Sequence, residues 1–370
     1  MLTEEYIVNC SDDIVNLYNS FVDYTIQQMA KAIKEHYSLD EINRKTDILI
    51  TAGELKSKII KKIAKLNNMS EKEVAKVLED AGKTTLKYDD AIYTKEGFDV
   101  IPLTQSPQLR NILEAQILKT NGELKNLTLT TANEVQKAFY DAVNNADLQV
   151  ETGIYDYNTA IKNAIYDIVE RNGGVGKVEY PSGYSSQLDV AVRRCVLTGV
   201  SNSTNALQKQ RAEEMHAPYV DTSAHSGARP THAEWQGKRF KYDDFINKPF
   251  GEAQKPVFEQ LKEYNCRHSW YPVMHEDAPK ARTAQQLEDI NKKTVTSGGK
   301  EYTYYEAEQR LRYMERTVRK YKRRAMAIEQ VFGDASHEKL KVRDWNRRIK
   351  KFCADTGIRR RPENEKVYYI

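Results

Sequence analysis

The chain has 370 residues, 40% hydrophobic and 30% charged, with a formal net charge of +4. That apolar content supports packed cores and argues against wholesale disorder, and no run approaches the length needed to cross a bilayer. Cys10, Cys195, Cys266 and Cys353 show no paired spacing, which argues against a disulfide framework or a cysteine-rich zinc module. The start, MLTEEYIVNC, has no basic stretch leading into an apolar run, so no secretory signal is read and folding in the cytoplasm that makes it is expected.

The first half reads as successive helices. Ser11 precedes Asp12 and Asp13, acidic residues that suit a helix N-terminus. Ile14, Leu17, Phe21 and Tyr24 then recur at helical steps. A second helix is expected from about Thr51 to Leu66. Ser70 and Glu73 form a capping-box pattern before Val74, Val77 and Leu78, with Gly82 as the stop. Thr131 and Glu134 repeat the box before Val135, Ala138, Phe139 and Ala142. Ile161, Ala164, Ile165 and Ile168 mark a further helix that ends at Gly173-Gly174.

Gly173, Gly174, Gly176, Pro181 and Gly183 then punctuate the chain. The run from Gly173 to Lys177 invites comparison with a phosphate-binding loop, but Arg171 stands where its first glycine belongs and Val178 where Ser or Thr must follow the lysine. A long helix is expected from about Ser186 to Met215. Tyr219 to Ser223, Arg239 to Tyr242 and Arg267 to Val273 read as short strands. Thr303 and Glu306 form another capping box. Tyr304, Ala307, Leu311, Met314, Val318, Tyr321, Ala325, Ile328 and Phe332 follow as a heptad seam. A second basic helix carries Val342, Trp345, Ile349 and Phe352 on one side, and the tail from Arg359 reads as extended.

This pattern predicts an α+β protein, predominantly α-helical, with a small β-containing domain in the C-terminal half followed by long basic helices. The expected segments are a helical region 1–172, a Gly/Pro linker 173–185, an α+β domain 186–280 and a basic helical region 281–370. From Arg310 to Arg361 there are 18 Lys/Arg against 6 Asp/Glu, a bias that suits an anionic partner. Arg312, Arg316, Arg319, Lys320, Arg323 and Arg324 are the candidate nucleic-acid-binding residues, read as a face opposite the seam.

The densest polar cluster runs His225-Ser-Gly-Ala-Arg-Pro-Thr-His232, then Ala-Glu-Trp-Gln-Gly237, then Asn265-Cys-Arg-His268. Two residues apart on a strand, Cys266 and His268 would share a face. With His225 and His232 they supply ligand types that zinc accepts, although the spacing matches no common zinc module. A Cys266 nucleophile with a histidine base is a second reading, without a recognisable third member. The favoured reading is structural: Arg229 staples carbonyls or a carboxylate through its five donors, Trp235 plugs the core beneath, and Gly237, Asn265 and Arg267 complete the motif. No cofactor is expected, zinc being the one candidate.

That cluster, His225 to Gly237 followed by Asn265-Cys-Arg-His-Ser-Trp-Tyr-Pro272, resembles the phage minor capsid protein 2 family of tailed phages and prophages. Further similar segments are Gln105-Ser-Pro-Gln-Leu109, Lys119-Thr-Asn-Gly122, Asp156-Tyr-Asn-Thr-Ala-Ile161, Tyr180-Pro-Ser-Gly183 and Leu188-Asp-Val-Ala-Val-Arg-Arg194. Arg-Pro-x-His with Asn-Cys-Arg is also similar to the broader head-morphogenesis domain. The chain departs from the family at Gln254 to Tyr264, charged and helical in character where relatives tend to be glycine-rich. The resemblance implies a virion protein of the head, often near the portal, that assists assembly, packaging or ejection. It implies portal or major capsid partners; the basic helices suggest non-specific contact with phage DNA, and neither a membrane nor an enzymatic role is expected. The alternative is a metal- or cysteine-dependent enzyme centred on His225, His232, Cys266 and His268.

Overall fold

The computed structural model describes residues 1–39, 41–170, 177–180 and 182–369. In chain order the helices of the first half are α1 (Glu4–Asn9), α2 (Asp12–Tyr37), α3 (Glu41–Lys95), α4 (Pro107–Asn126), α5 (Thr131–Glu151) and α6 (Tyr157–Glu170). Strands β1 (Lys177–Glu179) and β2 (Ser185–Gln187) lead into α7 (Leu188–Glu214). The mixed region holds β3 (Tyr219–Thr222), α8 (Pro230–Ala233), β4 (Arg239–Lys241), α9 (Tyr242–Asn247), β5 (Pro249–Phe250), β6 (Lys255–Pro256), α10 (Val257–Leu261) and β7 (Trp270–Val273). Then come α11 (Ala284–Asn291), β8 (Thr294–Ser297), β9 (Lys300–Thr303), α12 (Tyr304–Phe332) and α13 (Ser336–Thr356). The fold is α+β and mostly helical, with antiparallel sheets of two or three strands and long helices after them, as the sequence pattern predicts.

Several local expectations are corrected. Ser70 caps nothing: α3 runs unbroken through it, and its hydroxyl donates back to the Asn67 carbonyl at 3.0 Å. Nor does Gly82 stop a helix. A Cβ there would lie 2.9 Å from Leu207 Cδ1, so the glycine lets α3 approach α7 closely. Thr131 is not a cap, since α5 takes Thr130 as its N-cap, without a side-chain hydrogen bond. The β8–β9 hairpin lies in a stretch read as helical. The Thr303–Glu306 box is formed: Glu306 N–H donates to Thr303 Oγ1 at 3.2 Å, and Glu306 Oε2 accepts from Thr303 N–H at 2.9 Å. The glycines at 173, 174 and 176 lie outside the described residues.

Contacts divide the chain into two compact units, each assembled from three separate stretches. The first comprises Met1–Asp13, Glu71–Glu123 and Arg193–Gln309. Its three predicted strands form one antiparallel sheet in the order β4-β3-β7, with Val220 opposite both Phe240 and Pro272. Val220, Trp235, Phe245, Phe258, Leu261 and Trp270 pack with Tyr93 of α3 and Ala212 of α7 in one apolar core. The two indoles keep their N–H groups bonded inside it, Trp235 to Gln260 Oε1 at 2.9 Å and Trp270 to Asn205 Oδ1 at 3.0 Å.

The second unit comprises Ile14–Ser70, Leu124–Val192 and Arg310–Ile370. Ile14, Phe21, Met29 and Ile33 of α2 are buried, as are Phe139 of α5 and Ile165 of α6. The seam residues Leu311, Met314, Val318, Ala325 and Ile328 are buried along α12. The tail is tied down by its backbone: Tyr368 N–H donates to Asp23 Oδ2 at 2.9 Å, and its carbonyl accepts from Gln27 Nε2 at 3.0 Å.

Candidate functional site

The polar cluster forms in the first unit, over the Trp235 core. Pro230 opens α8 at a position where its missing N–H costs nothing, and the short turn delivers His232. Asn265 adopts a left-handed conformation at φ +60°, which asparagine tolerates better than most residues. This turn sends Cys266 and His268 toward α8 just before β7 begins. Gly237 also has positive φ, +69°, and a Cβ there would collide with Leu287 Cδ2.

His232, Cys266 and His268 are brought together, with one ligand atom from each within 4.8 Å of the others. Cys266 Sγ lies 3.7 Å from His232 Nδ1 and 3.5 Å from His268 Nδ1. All three side chains are buried. His225 stands outside this set. Its ring stacks on His268 with centroids 4.3 Å apart, and its Nδ1 faces the Ser226 carbonyl at 3.0 Å.

Hydrogen bonding fixes both tautomers. Gln236 Oε1 accepts from the His225 backbone N–H at 3.0 Å, so that atom is the amide oxygen, and His268 Nε2 at 2.9 Å must donate to it. His232 Nε2 faces the Glu263 carboxylate at 3.3 Å and carries its proton there. Both Nδ1 lone pairs are thereby left to point at the Cys266 sulfur. Sequence reasoning missed Gln236 and Glu263, although both lie inside or beside the quoted motif.

Electrostatics keep the cluster neutral. Burial, with Arg229 nearby, pulls the His232 imidazole down to about 4. Burial and then the neighbouring His225 and His232 rings hold His268 well below the usual histidine range. Burial, then Arg267, also lowers His225. Cys266 is pushed up to about 12 by burial, so it is a thiol rather than a ready nucleophile. Arg229 donates to Glu263 at 3.2 Å and to the Tyr264 carbonyl, and Arg267 is clamped between Glu308 and Glu4.

The six basic residues on α12 do not share one solvent face. Arg323 is buried and donates to Asp23 Oδ1 at 2.6 Å and to Asn19 at 3.2 Å. Arg319 is buried against Asp189 at 2.6 Å. Lys320 and Arg324 pair with Glu170, and Arg312 is partly buried, which leaves Arg316 as the exposed member. The sequence treated these side chains as one stripe because helical spacing does not reveal which neighbours carry carboxylates. By contrast, α13 carries Lys339, Lys341, Arg343, Arg347, Arg348, Lys350 and Lys351, all exposed, against three acidic residues. Among the described residues, no helix is long and apolar enough to cross a membrane.

The fold is thus a helical scaffold with small sheets, and the polar cluster within it is buried. The family model for phage minor capsid protein 2 matches residues 2–354, and the chain belongs to that family. It is also similar to a protein described as a structural protein of Lactococcus phage LL-H, 24% identical over 239 residues. That match covers 62% of this chain and 61% of the relative. No solved structure matches the chain.

Proposed function

We propose that the chain acts in phage head assembly close to the portal, where it binds portal or major capsid subunits. It works in the host cytoplasm during assembly and stays in the virion. The family match over residues 2–354 carries this reading. An enzyme centred on the histidine cluster draws no support from Cys266, whose thiol is buried and protonated. Contact with packaged DNA runs through α13 rather than α12, because α13 keeps its seven cationic side chains exposed. Such an array gains affinity by releasing phosphate counterions, without reading sequence.

Quantitative mass spectrometry of purified particles tests the assignment. A few to about a dozen copies per particle, cross-linked to the portal, are expected from closed symmetry. Intact particles without the chain would overturn it. For the DNA contact, reversing Lys341, Arg343 and Lys350 to Glu should lower the log–log salt slope of duplex binding by about 3. An unchanged slope would remove α13 from the interface.

A further inference from the structure

We infer that His232, Cys266 and His268 form a zinc site, with Nδ1 of each imidazole and the Cys266 sulfur as its three protein ligands. Geometry is the first argument. With Zn–S near 2.3 Å and Zn–N near 2.0–2.1 Å, a tetrahedral ion holds sulfur and nitrogen about 3.6 Å apart. The two separations here are 3.7 and 3.5 Å. The three residues are the one His/Cys/Asp/Glu group of suitable spacing among the described residues.

The outer partners give a second, independent argument. A zinc-bound histidine donates its other ring N–H to a carboxylate, a carbonyl or water, which fixes the tautomer that ligates. His232 does this with Glu263 and His268 with the Gln236 amide oxygen. Without a cation, two buried lone pairs converge on one thiol that has a single proton to offer, so at least one nitrogen stays unsatisfied. A divalent ion satisfies both. On binding, the Cys266 proton leaves to solvent and the thiolate becomes a ligand, which reverses the preference that burial imposes on the free thiol. A water completes the tetrahedron, since His225 lies outside the ligand set.

In the fold the ion would act as a clip. It joins α8 to the segment that enters β7, two stretches held otherwise by Arg229 on Glu263 and Tyr264 and by the Trp235 core. Metal would therefore stabilise the first unit while leaving the exposed surface of α13 unaltered.

The experiment uses the purified full chain. Zinc content after dialysis should be about one ion per chain. Cobalt(II) should give tetrahedral visible bands and a near-ultraviolet thiolate-to-metal band. Cys266→Ser should abolish the thiolate band and weaken zinc binding by more than about 100-fold, since losing an outer partner alone costs 10–100-fold. Cys353→Ser should leave both unchanged. Wild-type protein that purifies without zinc, shows no cobalt spectrum and gains no thermal stability from added zinc would overturn the site. So would a cobalt–thiolate band that survives Cys266→Ser. Neither the wild-type zinc content nor the cobalt spectrum depends on whether the variant folds.

Discussion

The cluster above Trp235 and the basic stretch of α12 both bury groups that prefer water, and they do so in opposite ways. In the cluster, burial removes charge: three imidazoles are held below their ordinary range and a thiol above its own. Along α12, charge is kept and matched, Arg323 by Asp23 and Arg319 by Asp189. The neutral arrangement suits the zinc ion inferred above, which brings its own charge. The charged arrangement is complete as it stands and leaves little for a partner. A run of arginines in a sequence is therefore not yet a basic surface.

The largest effect expected from breaking this comparison is at Arg323. Arg323→Ala leaves the fully buried Asp23 carboxylate without its cation and should cost about 3–5 kcal/mol in denaturant unfolding. A cost below about 1 kcal/mol would mean that water reaches Asp23 and that the pair is surface-like.

Asp89, on α3 in the first unit, sharpens the neutral side. It is buried, one oxygen accepts from Gln208 at 2.8 Å, and burial raises its carboxyl to about 7. The unfolded chain ionises this group from near pH 4, whereas the folded protein holds the proton until about pH 7. Stability should therefore fall as pH rises across that window, by up to roughly 4 kcal/mol from this group. Asp89→Asn should remove that slope, so its advantage over wild type widens from pH 5 to pH 8. Parallel pH–stability curves for the two proteins would show that the carboxyl ionises normally.

A smaller loss is expected at Trp235→Phe. It removes the indole N–H that donates to buried Gln260 Oε1 and should cost about 1–3 kcal/mol. The smallest belongs to Arg316→Ala, on the exposed side of α12, which should stay within about 0.5 kcal/mol of wild type. A larger loss there would give Arg316 the internal role that Arg323 has.

Much of the local structure was legible. The three short strands were legible as short β-favouring runs between glycine- and proline-containing turns, and the α12 seam because a step of three and four needs only one helix to define it. Ser70 and Gly82 misled because capping and stopping signals are weak against tertiary packing: α3 continues where α7 covers it, and the glycine serves close approach instead. In the cluster, the residue types announced His232, Cys266 and His268. Which ring nitrogen faces the sulfur required Gln236 and Glu263, whose roles exist only once α8 and the Asn265 turn are folded together.

The sequence by itself determined the helical and strand periodicities, the mixed fold class and the family motif, because each is written in residues near one another along the chain. Only the tertiary structure decided which charges are buried in pairs and which stay exposed. Arg323 finds Asp23 300 positions away, and Arg267 finds Glu4 at a separation of 263. Pairing at such distances depends on chain reversals that no local pattern encodes, so the basic surface passed from α12 to α13 only when the fold was known.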